Sequence, residues 1–264
     1  MTPDEWRPRQ RAHGQRVDGW LAGHRERMAA GRRHPVEDFL FTYYSHRPAR
    51  LRRWSPGARV ELIGWDGQQP WLAEPPERFG FVVELLERTA ARAPQFGCFG
   101  LHEWAMVHRS TRRHEDWPLR LSEQATDEVV ESLPIGCTHH DAFRFFTPTA
   151  RPLNRWQPTR ADQLELEQPG CLHANMDLYK WAYKLSPWVP AELVADCFEL
   201  ARRIRELDMR ASPYDLSALG YPAVPIETAL GRSAYQEAQR VFAGESAVLR
   251  ERLLQAARPL VRTA

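Results

Sequence analysis

The amino-acid sequence predicts an all-α or mainly α protein, folded as one compact multi-helix domain with a minor β element. Several long stretches place apolar residues at helical spacing, whereas one short segment, 59–64, alternates as a strand does. No internal repeat, low-complexity tract or clear linker divides the 264 residues, which are enough to bury a substantial core. We therefore expect a single domain over 1–264, with a basic N-terminal helix at 1–33 and the core at 34–264.

Caps and apolar periodicity place the individual elements. Thr2 followed by Pro3 predicts the N-cap and first position of the first helix. The predicted elements are helices at 3–30, 34–46, 76–93, 126–133, 172–185 and 190–210, one or two further helices over 232–261, a strand at 59–64, and a segment of either type at 135–146. Residues 147–169, rich in Pro and polar side chains, predict a long ordered loop, and such loops are often functional.

Composition indicates a cytoplasmic protein. Hydrophobic residues make up 43% of the chain and charged residues 27%, which is ordinary for a globular protein. No apolar run is long enough to span a membrane, and residues 1–33 are too charged for a signal peptide. The four cysteines are widely spaced without a CxxC pair, which argues against a zinc ribbon or a disulfide framework. We expect no membrane association, and the sequence does not indicate an oligomeric state.

The basic residues are concentrated near the N-terminus. The net charge of +2 is weak evidence for a polyanionic partner, but the first 33 residues contain eight arginines and four acids. A second basic run, at Arg47, Arg50, Arg52 and Arg53, lies beside Trp54. Such segments can contact the phosphates of DNA, and the alternative is a solvated basic face.

Lysine is almost absent from the chain. Of 36 basic residues only Lys180 and Lys184 are lysines, and they are four positions apart. Lysine can lose its proton when desolvated and can form a Schiff base, whereas arginine does neither. The pair therefore marks a candidate site, the alternative being two lysines retained by chance.

The helix predicted at 172–185 carries a charged stripe on an otherwise apolar surface. At 100° per residue, its ionisable side chains fall within about 60° of one another; they are His173, Asp177, Lys180 and Lys184. A surface helix shows the reverse pattern, and unpaired buried charges cost several kcal/mol. The stripe is therefore interpreted as one wall of an active site, with a structural row of ion pairs as the alternative.

Other segments place ionisable side chains among apolar residues. These are His34 with Asp38, His102 with Glu103, and His139 and His140 with Asp141. Each set taken alone is typical of a satisfied polar group in a core. Together they predict convergence on the charged stripe of the 172–185 helix.

Five segments carry a resemblance to a known family. They are HPVEDFLFTYYSHRPARLRRW (34–54), FGCFGLHEWAMVHR (96–109), CTHHDAFRFF (137–146), EQPGCLHANMDLYKWAYKLSP (167–187) and DCFELARRIRELDMRASPYDL (196–216). With these segments the chain resembles an actinobacterial group commonly labelled 3-methyladenine DNA glycosylase. The resemblance covers nearly the whole chain. It implies a DNA-repair hydrolase that cleaves the N-glycosidic bond of alkylated purines, without a cofactor.

Under that hypothesis, DNA contacts the Arg-rich N-terminal segments and the extruded base stacks in an aromatic pocket. Asp177 is the candidate carboxylate that activates water or stabilises the oxocarbenium ion, and Lys180 or Lys184 tunes its pKa or attacks the sugar carbon. The expected catalytic residues are Asp177, Lys180, Lys184, His173 and Glu103. The expected substrate-binding residues are Tyr179, Tyr183, Trp181, Trp104 and Arg144.

The same residues support a second hypothesis, a helical metalloenzyme acting on a small molecule. Histidine and carboxylate side chains on facing helices bind iron, manganese or zinc in such folds. The candidate ligands are His102, His139, His173 and Asp177. The sequence contains neither HExxH nor a ferritin-type ExxH pair, so spacing alone does not select a metal. A non-enzymatic protein with an aromatic binding pocket is the third alternative.

Overall fold

The computed structural model describes residues 1–110 and 117–261, and in these ranges the chain is mainly helical. Eleven α-helices lie in the described ranges: α1 (Pro3–Ala29), α2 (Phe39–Tyr43), α3 (Pro48–Arg52), α4 (Phe79–Ala90), α5 (Leu101–Ala105), α6 (Glu123–Ser132), α7 (His140–Phe143), α8 (Gln163–Leu166), α9 (Leu172–Leu185), α10 (Ala191–Arg210) and α11 (Ala229–Ala257). Extended pairing in these ranges is limited to two isolated bridges, Leu119 with Tyr214 and Ile135 with Asn154. The all-α prediction is confirmed.

The long helices begin and end close to their predicted bounds. At the start of α1, the backbone N–H of Thr2 donates to the Glu5 carboxylate at 2.7 Å, which closes the N-terminal turn. Helix α9 has the bounds predicted for it, 172–185. The aromatic segment 34–46 was expected to be one helix, but the α-helical part is α2, which begins after Asp38.

The strand predicted at 59–64 is wrong. Arg59 adopts a left-handed backbone conformation, with φ of +62°, which interrupts an extended segment. The backbone of Leu62 bonds instead to the side-chain amide of Gln69, at 2.8 Å from its N–H and 3.1 Å to its carbonyl. The alternation of apolar and polar residues here belongs to a loop whose backbone bonds to the Gln69 side chain and to the backbone of Met1.

The chain divides into two compact units, each assembled from separate segments. The first unit comprises Met1–Glu87, Met176–Arg202 and Ala247–Ala264, and the second comprises Arg88–Asn175 and Arg203–Ser246. The expected division into a helix at 1–33 and a core at 34–264 stays a prediction. In the described part of the chain, no helix has the length and apolar character needed to cross a membrane.

The core of the first unit is rich in aromatic rings. Phe198 is fully buried, and its ring centroid lies 4.9 Å from that of Trp20, 5.0 Å from that of Tyr179 and 5.3 Å from that of Phe41. A separate buried cluster in the same unit comprises Trp6, Trp54, Leu62, Trp71 and Ala191. These contacts hold α1 and α2 against the parts of α9 and α10 that belong to this unit.

Two glycines of the second unit position the elements that carry its histidines. Gly100 precedes α5 with φ of +72°, a conformation that glycine adopts without a Cβ clash. Gly170 precedes α9 at a close backbone approach, where a Cβ atom would lie within 2.8 Å of the backbone N of Gln95. Larger residues at these positions would shift the start of either helix.

Candidate functional site

Helix α5 of the second unit places an imidazole and a carboxylate in the protein interior. His102 and Glu103 are 2% and 5% exposed, although both side chains are ionisable. Trp104, beside them, is fully buried, and its indole N–H donates to the carbonyl of Ala211 at 2.8 Å. This bond fixes the rotation of the short helix, so His102 and Glu103 have defined directions.

Three side chains of the second unit converge within ligand-binding distance of one another. His102, His173 and Asp208 are all buried, and one ligand atom of each lies within 4.8 Å of those of the other two. The imidazole rings of His102 and His173 are perpendicular, with centroids 4.3 Å apart. We call this set the His102–His173–Asp208 cluster. Two imidazoles and one carboxylate form the ligand set of many transition-metal sites.

The contact between His102 and Asp208 does not have the geometry of a hydrogen bond. Nε2 of His102 lies 3.0 Å from Oδ1 of Asp208, yet neither atom makes an aligned hydrogen bond to any described residue. Two ligands of one ion with bonds of about 2.1 Å at right angles are about 3 Å apart, and their lone pairs point at the ion rather than at each other. The separation and misalignment of these atoms fit that arrangement.

The second oxygen of Asp208 is held by a buried arginine. Nη1 of Arg205 donates to Oδ2 of Asp208 at 3.0 Å and to Oε1 of Glu103 at 2.7 Å. The Arg205 side chain is 1% exposed, so both ion pairs are shielded from water. Arg205 thereby turns Oδ1 of Asp208 toward His102, as residues around a metal site orient its ligands.

The electrostatics of the cluster favour an ion pair when no metal is bound. Burial would lower the pKa of His102, but the Asp208 carboxylate outweighs burial and raises this pKa well above its ordinary value. Burial would likewise raise the pKa of Asp208, but His102 holds that pKa below its usual range. A divalent cation would replace the proton of His102 as the positive charge facing Asp208.

His139 and Glu167 form a second buried pair in the same unit. Nε2 of His139 lies 3.4 Å from Oε1 of Glu167, and both side chains are almost fully buried. The His139 ring centroid is 5.4 Å from that of His173. The structure thus brings together the three histidines predicted from the sequence, His102, His139 and His173.

Asp177, the fourth predicted ligand, is a residue of the first unit, and both of its carboxylate oxygens accept hydrogen bonds there. Its Oδ1 accepts a hydrogen bond from the Tyr44 hydroxyl at 2.5 Å, and its Oδ2 accepts one from Nζ of Lys180 at 2.7 Å. Nζ of Lys180 and Nζ of Lys184 lie 4.8 Å and 4.7 Å from the centroid of the Trp181 ring. The two lysines therefore share one aromatic ring, and Asp177 is paired with one of them.

The aromatic side chains predicted to bind substrate in the first unit pack against a histidine that sequence reasoning did not include. His46 stacks on Tyr183 with ring centroids 3.7 Å apart and contacts Tyr179 edge-on at 5.1 Å. Burial and the nearby charge of Lys184 lower the pKa of His46 to about 3, so this ring is neutral at physiological pH. Tyr179 is fully buried, so it serves the core, while the Tyr183 hydroxyl accepts the backbone N–H of Arg47 at 3.1 Å.

Two predicted substrate-binding residues lie in different settings of the second unit. Trp104 belongs to the core, as described above. Arg144 is exposed, and its guanidinium lies 4.4 Å from the Phe145 ring centroid and 3.7 Å from the Asp141 carboxylate. Asp38, in the first unit, is paired with Arg27 at 2.7 Å and His24 at 2.9 Å, which makes it a satisfied core carboxylate.

Sequence reasoning missed Asp208 and Arg205. At 100° per residue, Asp208 falls between Cys197 and Ala201 on the α10 wheel, within the apolar face. The sequence did contain one signal for this pair: a carboxylate stands among apolar positions, three residues after an arginine. The regular polar face of α10 obscured it.

Comparisons of this chain with protein-family models, with curated proteins and with solved structures gave no match. The local chemistry of the described residues is therefore the basis for assigning a function.

Proposed function

We propose that the protein is a metal-dependent enzyme that binds one divalent transition-metal ion through the His102–His173–Asp208 cluster. The observation that carries this proposal is the 3.0 Å approach of two buried ligand atoms, Nε2 of His102 and Oδ1 of Asp208, that do not align as a hydrogen bond. Buried polar atoms rarely lack aligned partners. A cation coordinated by both atoms would supply the missing partner of each.

The donor set limits the class of metal. Imidazole and carboxylate ligands suit iron, manganese and zinc, whereas calcium and magnesium prefer oxygen ligands alone. Three protein ligands leave positions open for water and substrate, and the bound metal would act as a Lewis acid or lower the pKa of bound water. Arg205 holds Asp208 in orientation, and its charge partly balances the two carboxylates it contacts. We propose a small molecule as the substrate.

Metal analysis of the purified protein tests the proposal. We expect close to one equivalent of a transition metal after growth with iron, manganese and zinc, and a loss of most of it in His102→Gln and His173→Gln. His108→Gln is a matched control, since His108 is also buried in the second unit but bonds to Glu131 at 3.1 Å and Thr149 at 3.0 Å. A wild-type protein without metal after reconstitution, or equal metal content in all three variants, would refute it.

The DNA glycosylase activity implied by the family resemblance is a second candidate. The contacts of Asp177 favour it, because a buried carboxylate that accepts hydrogen bonds from both Tyr44 and Lys180 has a fixed direction. In this candidate Asp177 activates water for cleavage of the N-glycosidic bond, and Lys180 or Lys184 supplies an amine. DNA as partner belongs to this candidate.

Release of methylated adenine from alkylated DNA tests the glycosylase candidate. We expect Asp177→Asn to abolish release, and Asp196→Asn, which removes a surface carboxylate of the same unit, to retain it. Borohydride trapping of a DNA adduct that is lost in Lys180→Arg or Lys184→Arg would assign an amine nucleophile. Absence of base release from the wild-type protein would exclude the activity, whatever the outcome of the metal analysis.

A further inference from the structure

A groove of about 1210 Å³ lies along one face of α1 in the first unit. Five arginines line it: Arg7, Arg11, Arg25, Arg52 and Arg53. It is distinct from the His102–His173–Asp208 cluster, whose residues all belong to the second unit. The metal-dependent activity proposed above does not account for such a concentration of positive charge in one concave surface, whereas the glycosylase candidate already expects DNA at the Arg-rich N-terminal segments.

Helical spacing explains the line of charges. Arg7, Arg11 and Arg25 project from one face of α1, because separations of 4 and 14 residues return close to the same direction. At 1.5 Å per residue, Arg7 and Arg25 are about 27 Å apart along the helix axis. Gly14, on the same face, contributes no side chain, and a Cβ atom there would lie 3.8 Å from the Arg52 guanidinium. The groove is thus long, and at Gly14, which is buried, the Arg52 side chain approaches the helix closely.

Acidic side chains neutralise only part of this charge. Among the described residues that line the groove, one is acidic: Asp18. Its carboxylate pairs with Arg52 at 2.8 Å and with Arg25 at 3.3 Å. Arg7, Arg11 and Arg53 are exposed, with no carboxylate within 4.0 Å in the part of the chain that the structure describes. These three guanidinium groups are available to an anionic ligand.

Three tryptophans contribute to the same groove as the arginines. Trp6, Trp54 and Trp65 line the same groove, and Trp65 is the one that is partly exposed. A positively charged groove with aromatic side chains is the arrangement by which proteins hold single-stranded nucleic acid: the cations follow the phosphates and the rings stack on bases. A double helix keeps its bases stacked inside and offers no ring face to Trp65.

We propose that this groove binds a single strand of nucleic acid through its phosphodiester backbone, without requiring a damaged base or a metal ion. A length of about 27 Å spans roughly eight phosphates of a strand that keeps the helical rise of 3.4 Å per nucleotide, and fewer phosphates of an extended strand. The three unneutralised arginines set the expected salt dependence. With about 0.7 counterions released per phosphate contacted, the slope of log K against log salt is about −2.

Fluorescence anisotropy with an undamaged, labelled 12-nucleotide single strand tests the proposal, using the full-length protein in the presence of a chelator. We expect binding that weakens roughly 16-fold between 50 and 200 mM salt, as a slope of −2 requires. Combined Arg7→Gln, Arg11→Gln and Arg53→Gln should weaken binding at least tenfold at 50 mM salt and flatten the salt dependence. All three positions are exposed, and circular dichroism would confirm that the variant is folded.

A control variant with the same change in charge separates the groove from general attraction. Arg32→Gln, Arg33→Gln and Arg78→Gln remove three exposed arginines of the first unit that do not line the groove, so binding should change less than threefold. Equal losses in both triple variants would overturn the proposal, as would tighter binding of the matching duplex or of inorganic polyphosphate. Failure of the wild-type protein to bind the single strand at 50 mM salt would also overturn it, and that result leaves the metal and base-release assays unaffected.

Discussion

Nε2 of His102 and Oδ1 of Asp208 lie 3.0 Å apart in the buried interior of the second unit without an aligned hydrogen bond between them. The other oxygen of Asp208 accepts a hydrogen bond from Arg205, which holds the orientation of the carboxylate. With only a proton between the two atoms, the contact is a poorly aligned hydrogen bond. With a cation coordinated by both atoms, the same separation is the expected distance between two ligands.

Asp208→Asn is expected to lower metal affinity by roughly 100-fold or more, because it removes the anionic ligand of the cluster. It also leaves His102 and Arg205 with less negative charge in the interior, so the metal-free protein should lose about 3–5 kcal/mol of unfolding free energy. Chelator competition measures the first effect and urea unfolding the second. Asp215→Asn, at a carboxylate that bonds the backbone N–H of Ser217, should change neither. Unchanged metal affinity in Asp208→Asn would contradict the proposed ligand set.

Metal binding is expected to release a proton from His102. The pKa of His102 is raised well above 6.5 by Asp208 in the metal-free protein, so more than half of the molecules carry that proton at pH 6.5. A coordinated imidazole must be neutral, so His102 should release between about 0.5 and 1 proton for each metal ion bound. Calorimetric titrations in two buffers of different ionisation enthalpy measure the number released. Metal affinity that is constant between pH 6 and 7 would contradict this expectation.

Arg205 is expected to act as a positioning residue for Asp208. Arg205→Lys keeps the charge but cannot reproduce the hydrogen bonds to both Asp208 and Glu103, so metal affinity should fall roughly 10–100-fold. Arg203→Lys provides the control, since Arg203 lies on the same helix but pairs with the surface residue Glu245. The spectrum of the cobalt-substituted protein should shift in Arg205→Lys only. Identical spectra would show that Arg205 stabilises the core without orienting the ligand.

The sequence predicted the long helices well, because apolar periodicity and caps are local signals. The prediction of a strand at 59–64 was wrong because a strand depends on a partner elsewhere in the chain. Alternation of apolar and polar residues indicates two different faces, but it does not show whether a second strand is present to pair with. Here the backbone of Leu62 is satisfied by the Gln69 side chain instead. No feature of the 59–64 segment itself indicates that a side chain will take the place of a pairing strand.

The candidate site was predictable in part. His102 and His173 stood out because they interrupt apolar segments, and the structure places their rings 4.3 Å apart. Asp208 and Arg205 did not, because α10 also carries a regular polar face that satisfies the amphipathic pattern. Which side chains of separate helices meet is decided by tertiary packing, and a single sequence does not contain that information in its local periodicity.

His46 is expected to make the protein sensitive to acid. Its pKa is lowered to about 3 in the folded chain, so between pH 3 and 6.5 the unfolded chain binds more protons. The contribution of neutral His46 to the unfolding free energy is fully present above pH 6.5. It decreases as the pH falls, by roughly 1–2 kcal/mol at pH 5. Urea unfolding of the wild-type protein and of His46→Gln at pH 7 and pH 5 measures it. The variant should lose less stability than the wild-type protein over this interval, and parallel losses would contradict the assignment.

Phe198 is expected to be among the most sensitive core positions of the first unit. Its ring is fully buried and packs against Trp20, Phe41 and Tyr179, so truncation removes several aromatic contacts and leaves a cavity. Phe198→Ala should lower the unfolding free energy by about 3–5 kcal/mol, measured by urea unfolding. Phe81→Ala is the matched control, because Phe81 is 42% exposed and its loss should cost less than about 1 kcal/mol. None of the three contacting rings can fill the space without losing its own contacts, so Phe198→Leu should recover only part of the unfolding free energy that Phe198→Ala loses. Equal stability of the two alanine variants would mean that the aromatic cluster is not the centre of this core.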